Sequence, residues 1–193
     1  TEGAIVFDGS MSFSDGDSIL KTPITVKVEK GFITEVSGGE EAKRLLKDIT
    51  AAEKEAIALE KAGKLPAGQG EVYRKNARNI GELGIGLNPA ACITGNMLED
   101  EKAFRTCHFA IGMNYDGDAP SLIHLDGVVR NPTIIINDKA INLEDCTIKN
   151  GVYTYTLEVA PKDAYDDITF EVKKDSETII AEDSYNVKDK YVE

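Results

Sequence analysis

The sequence predicts an α+β fold: a largely antiparallel sheet with one or two amphipathic helices, followed by a β-rich C-terminal extension. Three observations carry that expectation. Short runs of alternating apolar and polar residues, broken by Gly and Asp-Gly, fill residues 3 to 36. The period then becomes helical between residues 39 and 62, and alternating runs return beyond Cys146. With 193 residues, 41% of them hydrophobic, the chain can bury a sizeable core as one domain or as a domain with an appendage. The expected division is a domain over residues 1–146 and an extension of unknown role over 147–193.

The elements follow in order. "AIVFDGSMSF" and "ITVKVEKGFITEV" read as antiparallel strands, with Ile24, Val26 and Val28 on one face and "EKGF" as a tight turn into the next strand. In residues 39–62, Leu45, Leu46, Ile49, Ala52, Ala56 and Leu59 recur at helical spacing on a Glu/Lys-rich background, and "GKLPAGQG" ends the helical pattern with Gly and Pro. After residue 76, "NARNIGELGIGLNPAACITGN" is too irregular for a helix and too apolar for disorder, and it reads as short strands and turns shaped around something. "HFAIGMN" and "TIIIND" read as strands, and "NPTIIINDKAI" as a hairpin through Asn137 and Asp138. Three further runs, "GVYTYTLEVA", "ITFEVKK" and "ETIIAEDSYNV", are expected strands with a charged outer face.

Composition narrows the partners. A formal charge of −12 repels nucleic acid and anionic membranes and suits a protein that collects cations. No apolar run approaches the ~18 residues of a membrane span, and "TEGAIVFDGS" lacks the features of a signal peptide. The expectation is therefore no nucleic-acid and no membrane partner. Cys92, Cys107 and Cys146 are an odd number without CxxC spacing, which points away from a disulfide framework or zinc knuckle and toward the cytoplasm. A start without methionine, inside an expected strand, suggests a cleaved or truncated chain.

The chemistry concentrates in "LEDEKAFRTCHFAIGMNYDGDAPSLIHLDGVV", which holds both histidines of the chain, His108 and His124. On a strand, residues i and i+2 face the same side, so His124 and Asp126 of "HLD" can reach one divalent ion. Glu82 in "GELGIG" and the carboxylates Glu99, Asp100 and Glu101 could complete a site in which two ions roughly 3.5–4 Å apart share an activated water. Taken singly, each of these has a plainer reading: a surface or hydrogen-bonded histidine, a solvated "LEDEK" run, and glycines that serve a simple turn.

The run from "NARNIGELGIG" through "LIHLDGVVRNPTI", together with the upstream "GAIVFDGSMSF" and "LKTPITVKVEKGFITEVSGGEEAKRLL", resembles the metallo-aminopeptidases of the aminopeptidase T and aminopeptidase S group and their shorter leucyl-aminopeptidase-like relatives. The resemblance covers about residues 3 to 145. It implies a C-terminal catalytic domain holding two divalent ions, zinc, cobalt or manganese, with Glu82 as a bridging ligand and Glu101, His108, His124 and Asp126 as the others. It implies a catalytic role as general base for Glu82 or for a further glutamate of the family, and for Tyr115 as an oxyanion donor worth on the order of 2.7–4 kcal/mol. A peptide would be the substrate, and a homodimer the assembly. The family's further glutamate before "IVFDGS" and its N-terminal domain do not precede this stretch, which leads to an expectation of impaired or absent activity in a truncated form.

Hydrolysis of the first peptide bond by a metal-activated water is therefore the leading expectation from the sequence. An alternative also exists among short relatives: a ring-cleaving dioxygenase of dihydroxypyridines using one Fe(II), in which His108, His124 and Asp126 form a facial triad. A noncatalytic domain that uses metal only to stabilise its fold is the third reading.

Overall fold

A computed structural model describes residues 1–136 and 139–142 and, as backbone, the strands at 147–149, 152–154, 167–174 and 178–186. The fold is α+β, built from antiparallel sheets and few helices. The first half contains β1 (Gly3–Phe7), β2 (Ser10–Met11), β3 (Ser18–Ile19), β4 (Ile24–Glu29), β5 (Phe32–Gly38), α1 (Glu40–Lys61) and α2 (Gln69–Asn76). The second contains β6 (Ile80–Gly86), α3 (Met97–Asp100), β7 (Thr106–Gly112), β8 (His124–Arg130), β9 (Thr133–Ile136) and β10 (Lys139–Ile141). The strands β11 (Thr147–Lys149), β12 (Val152–Thr154), β13 (Asp167–Lys174) and β14 (Thr178–Asn186) follow.

Strands β1, β4 and β5 form a three-stranded antiparallel sheet in that order. The expected turn at "EKGF" is a two-residue connection, because Glu29 pairs with Phe32. Both turn residues, Lys30 and Gly31, have positive φ (53° and 81°), the primed geometry whose twist matches that of the flanking strands. Ile24, Val26 and Val28 are buried, as their alternation requires.

Helix α1 is one continuous helix, buried through Ala42, Leu45, Asp48, Ile49, Ala52 and Ala56. Leu46, counted with the apolar stripe in the sequence, lies on the exposed side. The helix stops where Gly63 takes φ +71° and Lys64 N–H folds back to Leu59 O. Helix α2 begins after the proline and glycines of "KLPAGQG", and the carboxylate of Glu60 accepts from Gly68 N and Gly70 N at its start. Among the described residues no helix is long and apolar enough to cross a membrane.

The second sheet has five strands in the order β3-β2-β8-β7-β6. Among the described residues a core lies between it and the three-stranded sheet with α1, joining Ile5, Phe7, Ile24, Val26, Leu45 and Ile49 to Met11, Phe109, Ile111 and Val129. Strands β9 and β10 form the expected hairpin, with Ile136 paired to Lys139, and β13 joins β9 on its other side and carries β14. The turn residues Asn137 and Asp138, Cys146, and the second half of "GVYTYTLEVA" lie outside the described residues.

Candidate metal centre

The register of the second sheet assembles the site. On the rung between β6, β7 and β8, Glu82 lies opposite Ala110 and Ala110 opposite Asp126. One rung along are Gly84, His108 and Val128, and at the other side Gly112 faces His124. Residues directly opposite one another share a face, as do residues two apart on one strand, so Glu82, His108, His124 and Asp126 all emerge on the same side. Small residues stand between them. Ala110 leaves space between the two carboxylates, and a Cβ at Gly84 would overlap the His108 ring. The glycines around Glu82 thus admit an imidazole rather than serving only a turn.

Glu82, His108 and Asp126 each offer one ligand atom, and these atoms lie within 4.8 Å of one another. His108 Nε2 is 3.0 Å from Glu82 Oε1 and 3.9 Å from Glu101 Oε2. His124 Nε2 is 3.6 Å from Glu82 Oε2 and 3.4 Å from Asp126 Oδ1. The five residues expected as ligands thus lie near one another, with Glu82, His108 and Asp126 forming the tight group and Glu101 and His124 beside it. His108 is 4% exposed, which places a polar ring in a dry environment where its unpaired nitrogen is costly.

These residues fit a cation. Asp126 Oδ1 is buried without a conventional hydrogen bond and lies 3.4 Å from His124 Nε2. Three carboxylates and two imidazoles face one another, a donor set of the oxygen and nitrogen type that divalent first-row ions take. His124 Nδ1 lies 2.7 Å from Met113 O, so Nδ1–H donates to that carbonyl and Nε2 is left to face Glu82 and Asp126. Asp126 beside it, against the opposing effect of burial and with help from the Met113 carbonyl, raises the His124 pKa to about 9. A cation bound here would compete with a proton for Nε2.

The acidic run before β7 differs from a solvated face. Asp100 is fully buried and accepts from Thr94 N, Thr94 Oγ1 and Gly95 N, while Glu99 accepts from Cys92 N. Neither carboxylate is directed to the ion position, and of the three only Glu101 approaches it. Tyr115 is 77% exposed, yet its ring rests on His124 with centroids 4.7 Å apart and planes tilted by 50°. Ala110 was not singled out from the sequence, because its importance depends on which strand lies beside which, and Asp100, counted there among the possible ligands, is instead a buried acceptor for Thr94 and Gly95.

No family model and no curated protein matches the chain. It is similar to a solved structure, the 2,5-dihydroxypyridine dioxygenase of Pseudomonas putida KT2440, at 25% identity and a TM-score of 0.47, over 67% of this chain. The match spans 35% of that enzyme, about a third of its length. The aminopeptidase expectation is corrected here: the similar structure is a dioxygenase and not a peptidase. The base role of Glu82 and the oxyanion-donor role of Tyr115 were expectations tied to peptide hydrolysis. What stands is a group of residues that can hold a metal ion.

Proposed function

We propose that the chain carries a mononuclear non-haem iron centre serving a ring-cleaving dioxygenase, with a dihydroxylated nitrogen heteroaromatic ring of the dihydroxypyridine kind as the candidate substrate. The observation that carries the reading is the grouping of Glu82, His108 and Asp126, whose ligand atoms lie within 4.8 Å of one another, with His124 beside them. Two imidazoles, His108 and His124, and one carboxylate, Asp126, are the types of ligand that make up the two-histidine, one-carboxylate triad of non-haem Fe(II) oxygenases. Bound there, the ion would supply the site for O₂ and for the oxygens of an aromatic diol.

The chain's own residues divide the remaining work. Met113 fixes the tautomer of His124, and Asp126 holds the ring's other nitrogen on the ion side. Glu82, more exposed than the other ligands, stands at the open edge of the site, where it can accept a proton from an incoming hydroxyl. Burial of His108 and Glu101 excludes water from the opposite side.

Anaerobic loading with Fe(II), followed by measurement of iron per chain and of O₂ uptake with 2,5-dihydroxypyridine, tests the proposal. One iron per chain and substrate-dependent O₂ consumption are expected, with neither in Asp126→Ala. Full iron loading with no O₂ uptake would overturn the dioxygenase reading and leave the metal centre standing.

A further inference from the structure

Glu101 reaches the site by a route that depends on residues outside it. The segment between β6 and β7 crosses the ion-bearing face: Met97, Asp100 and Ala103 are buried, and a Cβ at Gly86 would overlap Ala103 O. The segment is closed on itself by Asn88, whose N–H donates to Lys102 O at 2.8 Å and whose carbonyl accepts from Phe104 N at 3.0 Å. Inside that loop the Asp100 carboxylate gathers Thr94 and Gly95. Asn96 caps α3 by accepting from Leu98 N.

One tie joins this segment to the rest of the sheet from a distance of 80 residues in sequence. Asp17, in the loop between β2 and β3, accepts from Met97 N through Oδ2 at 2.8 Å and from Ser12 Oγ through Oδ1 at 2.8 Å. Met97 is the first residue of α3, where a backbone N–H has no partner within the helix, and a carboxylate there is favoured. One turn later Glu101 stands with Oε1 on Lys102 Nζ at 2.5 Å and Oε2 toward His108. The ammonium occupies one carboxylate oxygen and leaves the other for the ion position.

Resting on the metal-centre reading, we infer that Asp17 is a positioning residue for that centre. It anchors the start of α3 and so sets Glu101 against His108, although its own hydrogen bonds go to Ser12 and Met97. Ion affinity then depends on a side chain of the β2–β3 loop that is itself exposed.

A double-mutant cycle with Co(II) as the probe tests this, with dissociation constants measured by titration for the unaltered chain, Asp17→Ala, Glu101→Gln and the pair. Asp17 is exposed, so the alanine variant retains the core. Asp17→Ala is expected to weaken Co(II) binding roughly 10-fold, at the low end of what losing a ligand's support costs. The pair should bind no more weakly than Glu101→Gln alone. Asp17→Asn, whose amide oxygen can still accept from Met97 N–H, should restore most of the affinity. Unchanged affinity in Asp17→Ala, or losses that multiply in the pair, would overturn the inference. No Co(II) binding by the unaltered chain would overturn the metal centre and this inference together.

Discussion

Strands β4 and β7 sit on opposite sides of one core and are written differently. In β4, "ITVKVE", Ile24, Val26 and Val28 are buried while Thr25, Lys27 and Glu29 face outward to varying degrees. In β7, "TCHFAIG", all seven residues are buried. The first strand has one covered face, so hydrophobicity alternates and the polar positions carry no message beyond exposure. The second is covered on both faces, by the core and by the segment that carries α3. A polar residue in such a strand is a polar residue in a dry interior, and His108 is where the chain departs from a plain core strand. Alternation identifies a strand in the first case; the residue that breaks apolar continuity identifies a site in the second.

Substitutions can break this contrast. The largest effect is expected from removing a ligand on the doubly covered side. His108→Ala or Asp126→Ala should weaken divalent-ion binding by more than the roughly 10–100-fold that loss of a supporting hydrogen bond costs, as measured by metal titration. On the β4 side, Ile24→Ala should cost ~2–5 kcal/mol in urea unfolding of the metal-free protein, with ion stoichiometry per folded chain unchanged. If Ile24→Ala also abolished binding, the two sides of the core would not be separable.

Gly84→Ala belongs between these. The added methyl meets the His108 ring, so an overpacking cost of about 1–3 kcal/mol is expected in urea unfolding. Because the imidazole must move to admit it, ion affinity should fall as well. A stable Gly84→Ala protein with unaltered affinity would show that the close approach of backbone to ring is incidental.

The smallest effect concerns Cys107, on the core face of β7, against Cys92 in the segment that covers the other face. Burial pushes the Cys107 thiol up from 9.0 to about 12, so it stays protonated and unreactive in the folded protein. Peptide mapping after alkylation near pH 8 should find Cys92 modified and Cys107 modified only on unfolding. The folded state keeps a proton that the unfolded thiol loses, so this group's contribution to stability declines as pH rises from 9 and levels off near 12. Comparing the alkaline unfolding of Cys107→Ala with that of the unaltered chain isolates the effect.

The local code was legible where one residue's environment depends on its chain neighbours. The strands of residues 3–36, the turn at Lys30 and Gly31, and the helix over 40–61 follow from periodicity and from backbone conformations that glycine permits. The ligand types of the site were legible too, because histidine is scarce in this chain and the H-x-D spacing places two donors on one strand face. Helix α2 was passed over: its eight residues are polar, only Gly70 and Asn76 are buried, and its start is capped by Glu60 from another helix.

The sequence by itself determined the α+β class, the strand faces, the main helix and the residue types that can hold a cation, since these follow from periods of 2 and 3.6 and from side-chain chemistry. Only the tertiary structure decided that Ala110 separates Glu82 from Asp126 and that Gly84 makes room for His108. It also decided that Asp100 is buried structure while its neighbour Glu101 faces the ion position. Those outcomes depend on register between strands and on a tie between Asp17 and Met97 across 80 residues. Contacts at such separations are set by packing and chain closure, which no local pattern encodes.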